Sequence, residues 1–276
     1  MKRYLLTVLL MLGLMPFGAT AQRLVIVHTN DIHSQIEPFR IGRDAGRGGV
    51  ERIKVCIDSI RSVYGKNNVL VLDAGDYNQG TPYFTVSRGD LEVEVMNTIG
   101  YDLAALGNHE FDNGQQELVR RLKAANFETL CCTYDLSATP LQGIVKPCAI
   151  VKRGGLKIGV IGATTDLSYV AAAGNIEGMR LLDIISEINR WADWLHYDKG
   201  CDLVILLSHL GYEVGSARNP SDEMVAAEST NIDLIIGGHS HTFMKKPAEV
   251  ANKNGRIVPI VQTGAKGVNV GEFKIF

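Results

Sequence analysis

The sequence predicts an α/β fold, a sheet core with helices packed outside it. Two observations carry this. Apolar runs of strand length alternate with amphipathic helical segments along the chain, and residues able to do chemistry gather where the apolar runs end. In order, RLVIV (23–27) reads as a buried strand, and VERIKVCIDSIRSV (50–63) as a helix with Val50, Ile53, Ile57 and Ile60 at helical spacing. VLVLD (69–73) is a strand, LEVEVMNTI (91–99) a helix despite its valines, and LAAL (103–106) a short strand before a helix from about Gln115. LKIGVIG (156–162) is a strand, and DIISEINRWADWLHY (183–197) is a helix with Ile184, Ile188, Trp191 and Leu195 on one face. DLVILL (202–207) is a strand, SDEMVAAES a helix with Ser221 as N-cap, and IDLII (232–236) a strand. RIVPIVQTG and VNVGEFKIF alternate and read as late strands. No repeat, low-complexity tract or linker interrupts the order, which predicts one large domain.

That domain is expected to begin at residue 22. Lys2 and Arg3 precede an apolar stretch from Tyr4 to Phe17, and Ala19-Thr20-Ala21 follows, the pattern of a secretory signal cut before Gln22. Residues 1–21 thus predict export through the Sec pathway, to a periplasm or the cell exterior. A membrane anchor is the alternative, but the stretch is shorter than the roughly 20 residues a spanning helix needs, and no later stretch is long and apolar enough. Without Lys2 and Arg3, 26 basic residues face 30 acidic ones, a formal charge of −4. No basic stripe is present, which argues against a nucleic-acid polymer as partner. The five cysteines (Cys56, Cys131, Cys132, Cys148 and Cys201) include no C-x-x-C pair, which excludes zinc-ribbon and thioredoxin-like readings. Several are expected as small buried hydrophobes; a Cys132–Cys148 disulfide is the alternative.

Five predicted strands run into loaded loops. RLVIV leads to HTNDIHS with Asp31 and His33, VLVLD to AGDYNQG with Asp76, LAAL to GNHEFDNG, DLVILL to SHLG with His209, and IDLII to GGHSHTF with His239 and His241. Ligands of open α/β sheets gather outside the carboxyl ends of strands, so these residues are expected at one edge. Of the seven histidines only His196 lies outside these loops. His28, which begins its loop and has no carboxylate partner at D-x-H spacing, is as consistent with a structural role as with a functional one. The set Asp31, His33, Asp76, Asn108, His209, His239 and His241 offers nitrogen and oxygen donors without thiolate. That suits zinc, manganese, iron or cobalt; seven donors exceed one ion's needs and suffice for two.

D-x-H, G-D, G-N-H-E, a lone His and G-H-x-H, in that order, resemble the calcineurin-like metallophosphoesterase signature. Here they read Asp31-Ile32-His33, Gly75-Asp76, Gly107-Asn108-His109-Glu110, His209 and Gly238-His239-Ser240-His241. HTNDIHSQIEP, GGVERI, DAGDYNQGTPYF, ALGNHEFDNG and GGHSHTF are closer still to the 5′-nucleotidase branch. The resemblance implies a four-layer αββα sandwich, two mixed sheets with helices outside. It implies two divalent ions: Asp31, His33 and His241 on one, Asn108, His209 and His239 on the other, Asp76 bridging. It assigns catalysis to Asn108 and to a non-ligand pair, His109 and Asp112. The implied activity is an exported phosphatase for phosphate monoesters, nucleotides first, in which a hydroxide shared by the ions attacks phosphorus. His109 would stabilise or protonate the leaving oxygen, and Asp112 would raise its pKa.

Other readings stay open. One is a phosphodiesterase for 2′,3′-cyclic nucleotides or UDP-sugars. Another is the catalytic half of a two-chain 5′-nucleotidase. A third is a metal-binding or interaction protein with a silent site, against which the full donor set argues. Two-domain members of the branch grip the nucleoside with a C-terminal domain, so a chain ending at Phe276 is expected to lack it and to use a separately encoded substrate-binding partner. Glu110 is either a buried support or cap or a solvated carboxylate. Asp73, Thr29 and Asn30 are candidates for orienting ligands from behind. Phe39, Tyr77, Tyr83 and Tyr212 lie near the loops, as packing residues or as substrate contacts.

Overall fold

The computed structural model describes residues 24–213 and 215–276, so the predicted signal lies outside the described residues. From the N-terminal end come β1 (Leu24–Thr29), α1 (Val50–Tyr64), β2 (Val69–Asp73), α2 (Pro82–Ser87), α3 (Asp90–Ile99) and β3 (Leu103–Ala105). Next are α4 (Gly114–Ala124), β4 (Glu128–Leu130), β5 (Tyr134–Asp135), β6 (Cys148–Arg153), β7 (Leu156–Thr164) and β8 (Arg180–Leu181). The chain continues with α5 (Ile184–Asp193), β9 (Leu203–His209), α6 (Asp222–Glu228), β10 (Leu234–Gly237), β11 (Ala248–Ala251), β12 (Ile257–Val261) and β13 (Gly271–Ile275).

Two mixed sheets result. One has the order β13-β1-β2-β3-β4, the other β11-β12-β10-β9-β7-β6. The inner strands are parallel; β13, β6 and β11 pair antiparallel at the margins. Strand alternation shows how the layers form. In β1, Leu24 and Ile26 join a core shared with Ile205, Leu207, Leu234 and Ile236 of the other sheet. Val25 and Val27 point the opposite way, onto Ile53 and Ile57 of α1 and Val93 and Met96 of α3. In β9, Ile205 and Leu207 face the first sheet, while Val204 and Leu206 pack with Ile184 and Ile188 of α5 and Val225 of α6. Strands covered on both faces must be apolar on both, which is why they read as continuous apolar runs. The architecture is the expected four-layer sandwich.

Register brings the carboxyl ends level. Thr29 pairs with Asp73, Asp73 with Ala104, Gly237 with Ser208, and Thr164 with His209. Thr164 Oγ1 donates to Leu106 O at 2.7 Å, tying the second sheet to the loop after β3.

Three differences from the sequence reading have physical causes. The buried stripe of α5 runs through Ile184, Ile188 and Ala192 and on to Leu195 in the turn that follows it; Trp191 lies at its margin, with the Arg190 guanidinium 4.4 Å from its ring. The strands β4, β5 and β8 went unpredicted because they are only two or three residues long, β6 and β11 because they are marginal strands with exposed polar positions, and α2 because its β-branched and aromatic residues disguise a short helix opened by Pro82. All five cysteines are unpaired, with Cys131, Cys132 and Cys201 buried, so the alternative disulfide does not form. Ser221 caps α6 as expected, accepting from Met224 N at 3.4 Å. No described helix is long and apolar enough to cross a membrane.

Candidate metal centre

The loops after β1, β2, β3, β9 and β10 meet where the two sheets share an edge. Three groups of side chains there hold potential ligand atoms within 4.8 Å of one another: Asp31, His33 and His241; His33, Asp76 and His109; Asp76, His209 and His239. The first group is the set expected on one ion, and the third contains two of the residues expected on the other. Asn108 joins the third group, its Oδ1 3.0 Å from His239 Nδ1. Asp76 belongs to the second and third groups and His33 to the first and second, so Asp76 is joined to the first set through His33. His109 also comes within reach of His33 and Asp76, so the structure brings it closer to the donors than its expected non-ligand role demands. Its Nδ1 is 2.9 Å from Asp112 Oδ2.

The arrangement fits cations. His33 Nε2 and His241 Nε2 face each other at 2.9 Å, and His241 Nε2 lies 3.4 Å from Asp31 Oδ1. His209 is fully buried, and its Nδ1–H donates to Ala74 O at 2.7 Å, which leaves Nε2 to face the cluster. That Nε2 is 3.1 Å from Asp76 Oδ2 yet lacks hydrogen-bond geometry to any partner. A buried nitrogen with its lone pair aimed at a carboxylate oxygen suits a shared metal ion, and the backbone bond on the other nitrogen is the usual support of a histidine ligand. As a bare pair the two groups hold opposite charges instead, with Nε2 carrying the proton that a bound ion would displace. Burial works against charge on both groups, but Asp76 and His209 offset it for each other: the carboxyl falls well below its ordinary range and the imidazole rises to about 10. His239 is half-buried beside His209, and desolvation, with the charge of His209 adding to it, lowers it to about 4.

Strain is concentrated here. Nine described residues other than glycine have positive φ, and Asp31 (51°), His33 (49°), Asp76 (58°), His239 (70°) and His241 (54°) are five of them. Such backbone is costly for L-residues and persists only where surroundings hold it. The loops are held by their own bonds: Asp31 N to Gly75 O (2.9 Å), His33 N to Asp76 O (3.0 Å) and Ser34 N to Tyr77 O (2.9 Å). Gly75 (φ 91°) could not be replaced, because a Cβ would meet Gly107 N at 2.6 Å and His209 Nδ1 at 2.9 Å.

A supporting layer lies beneath. Asn30 Nδ2 donates to Asp31 Oδ2 at 2.6 Å, and its Oδ1 accepts from Thr263 N and Oγ1. Asp73 accepts from Thr29 Oγ1 (2.6 Å) and Gly75 N (2.9 Å), so all three residues expected behind the ligands are placed there. Glu110 is fully buried; Oε2 accepts from Gly107 N (2.6 Å) and Asp76 N (3.0 Å), and Oε1 from Asn78 N (3.3 Å). That removes the solvated-carboxylate reading. Sequence reasoning missed Gln262, whose Nε2 donates to Gly238 O at 3.0 Å while its Oε1 accepts from Thr242 N and Ser240 Oγ, clamping the loop of His239 and His241. It also missed Asp222, buried with a hydrogen bond from the hydroxyl of Ser208, next to His209.

Other candidates resolve as packing. His28 is buried against Gly271 of β13, away from the donors, and burial lowers it to about 4. Tyr77 is buried with its ring against Phe127, and Tyr83 donates to Glu37 at 2.6 Å. Tyr212 is half-buried and packs beside the α5–α6 core. Phe39 alone of the four lines an open groove that begins at His241.

The sequence pattern of the calcineurin-like phosphoesterases matches residues 24–243. The chain is 33% identical to human 5′-nucleotidase over 296 aligned positions, covering 98% of this chain and 49% of that protein. It is similar in structure to a 5′-nucleotidase precursor of Thermus thermophilus, with a TM-score of 0.80 and 33% identity over 92% of this chain and 51% of that one. It is also similar to the NAD nucleotidase of Haemophilus influenzae, with a TM-score of 0.77 and 30% identity over 91% of this chain and 52% of that one. The chain spans about half the length of the curated relatives it matches.

Proposed function

The chain belongs to the calcineurin-like phosphoesterase family, and we propose that it is an exported, metal-dependent hydrolase of phosphate monoesters, nucleotides foremost. The observation that carries this is the meeting of Asp31, His33, Asp76, Asn108, His209, His239 and His241 at one sheet edge, with Asp76 common to two groups. Asp31, His33 and His241 would hold one divalent ion, Asn108, His209 and His239 a second, with Asp76 between them. Bound there, two such ions would neutralise phosphoryl charge and make a water acidic enough to serve as nucleophile near neutral pH.

The chain's own residues supply the rest. Hydrolysis joins a water oxygen to phosphorus and breaks the bond from phosphorus to the ester oxygen, which must gain a proton as it leaves. His109 is placed to give it. The bond from Nδ1 to Asp112 Oδ2 leaves Nε2 as the free ring nitrogen, on a side chain only 29% exposed. Burial opposes protonation of that ring, but the hydrogen bond to Asp112 and the charge of Asp76 outweigh it and raise its pKa. A ring protonated near neutral pH can donate from Nε2. Asn175 Nδ2 donates to Asp112 O at 3.1 Å and steadies the pair from outside.

Diester cleavage, of cyclic nucleotides or nucleotide-sugars, would use the same donors. Base contacts from outside residues 24–276, on this polypeptide or on a partner, would add substrate affinity without altering the donors. Export rests on the pattern of residues 1–21. The deciding experiment measures phosphate release from a panel of monoesters and diesters, with chelator and with manganese, zinc or cobalt restored. Metal-restored release from monoesters supports the proposal; release from diesters alone selects the second reading. No turnover of any ester with metals present would leave a silent binding protein.

A further inference from the structure

His33 is held differently from His209. His209 presents Nε2 to the centre because its Nδ1–H is fixed on Ala74 O, the usual way a histidine ligand is oriented. His33 Nε2 faces His241 Nε2 at 2.9 Å and lies 3.8 Å from Asp31 Oδ1, but its buried Nδ1 has no hydrogen-bond partner among the described residues. No bond on that outer ring nitrogen sets the aim of this side chain, so the backbone must set it. That backbone is strained: His33 (φ 49°) and Ser34 (φ 54°) are consecutive left-handed residues.

A buried polar network grips this segment. Ser34 is fully buried, and its hydroxyl donates to Glu92 Oε1 at 2.5 Å. Glu92 lies in the first turn of α3 and is itself buried; its other oxygen accepts from Ser87 Oγ at 2.9 Å. Thr81 Oγ1 is 2.7 Å from Ser34 Oγ and 2.9 Å from Ser34 O. Gly80 packs so close that a Cβ there would meet His33 O at 2.8 Å and His33 Cβ at 3.1 Å. Burying a carboxylate is costly unless hydrogen bonds satisfy it. Glu92 makes no ion pair among the described residues, so the two hydroxyls carry that role, and one of them belongs to the residue beside a candidate ligand.

We propose that Glu92 is a positioning residue for one metal position and not the other: acting through Ser34, it fixes the His33–Ser34 backbone and so aims His33 Nε2 at the ion that Asp31 and His241 would share. This rests on the reading that Asp31, His33 and His241 hold an ion. Without Glu92 the Ser34 hydroxyl loses its acceptor inside the protein, and the left-handed pair loses a bond that keeps it strained. The segment can then relax and turn the His33 ring away, leaving that position two of its own donors. The other position has separate support. His209 is fixed on Ala74 O, and Glu92 makes no hydrogen bond to Asn108, His209 or His239. Loss of Glu92 therefore weakens the two ions unequally.

The test titrates zinc alone into the metal-stripped chain and follows the histidine ring nitrogens by long-range proton–nitrogen NMR, in which ligation shifts the nitrogen that binds. His33 and His241 report one position, His209 and His239 the other. In Glu92→Ala the first pair is expected to need about tenfold more zinc, a usual loss when a group supporting a ligand is removed, while the second pair responds as before. Glu92→Gln keeps an oxygen for Ser34 and is expected to restore the response. Ser34→Ala is expected to reproduce the loss, and the double variant to lose no more than either alone, because both act through one bond. Losses that add, or glutamine as weak as alanine, overturn the route through Ser34. A lower melting temperature with the two pairs unmoved, or weakened equally, makes Glu92 a support of the fold only and overturns the proposal. Should Glu92→Ala not fold, Ser34→Ala decides: a first pair that it leaves unchanged overturns the proposal. If zinc shifts neither His33 nor His241 in the unaltered chain, the reading of those residues as ligands fails, an outcome distinct from a Glu92 variant that binds zinc like the unaltered chain.

Discussion

Replacing Glu110 asks how firmly the donor loops are held from below. Its buried carboxylate accepts three backbone N–H groups, from Gly107, Asp76 and Asn78, and so joins the loop after β2 to the loop after β3. In Glu110→Ala those donors lose this acceptor inside the protein. A buried donor left unsatisfied costs about 1–3 kcal/mol, so three should cost about 3–6 kcal/mol once some relaxation is allowed. In Glu110→Gln the amide oxygen can take the position of Oε2 and keep the bonds at 2.6 and 3.0 Å. The amide N–H₂ then meets Asn78 N–H, donor against donor, and the cost should be about 1–2 kcal/mol. Burial, with the charge of Asp76 adding to it, raises the Glu110 carboxyl to about 7, so urea unfolding is best followed at about pH 8.5, where the carboxylate is ionised. Metal content is measured on the same samples, because Asp76 at φ 58° depends on this bond. If alanine costs under about 1 kcal/mol, or glutamine as much as alanine, the carboxylate is not the clamp the geometry indicates.

Three other outcomes are expected. His109→Ala should lower kcat by ~10²–10⁴-fold, the usual worth of a general acid, with metal content near that of the unaltered chain; loss of a metal would instead make His109 a ligand. Chelator should abolish hydrolysis, and elemental analysis should find Asp76→Asn depleted at both metal positions and Asp31→Asn at one. Burial raises Asp222 from 3.8 to about 8. Between those values the folded state keeps a proton that the unfolded state releases, so stability falls as pH rises through the window, by at most about 1.4 kcal/mol per pH unit. Asp222→Asn should flatten that fall in melting temperature between about pH 5 and pH 8, and an unchanged slope would mean the carboxyl is ionised in the folded protein.

The donors were legible in sequence because each group follows an apolar run and most sit beside glycines that let a loop turn sharply. The layers were legible because parallel strands are apolar on both faces. What was not legible depends on long-range contact. Glu110 could be read either way, since only the fold brings Gly107, Asp76 and Asn78 onto its carboxylate. Gln262 ends an ordinary apolar strand 24 residues from Gly238 in sequence, and nothing local marks it as that loop's clamp. On α5, helical spacing allows either Trp191 or Ala192 to face inward. The small residue goes in because the helix lies close on β7, where a Cβ at Gly159 would meet Leu195 Cδ1 at 2.8 Å.

Five left-handed donors could be a weakness, since each such residue costs about 1–2 kcal/mol. The hydrogen bonds show how the fold offsets it. Pairing between β1 and β2 does not stop at Thr29 and Asp73 but continues past the strand ends through Asp31 N, His33 N and Ser34 N to the carbonyls of Gly75, Asp76 and Tyr77. The second sheet is drawn in by His239 N, which donates to Asp31 Oδ1 and Oδ2 at 3.1 and 3.0 Å. Asp31 therefore serves as a candidate ligand and as the acceptor that fixes the opposite donor loop. Neither loop can shift alone without breaking bonds to the other, so the donors are organised before any ion arrives. Removing one supporting residue should loosen donors on both sheets together.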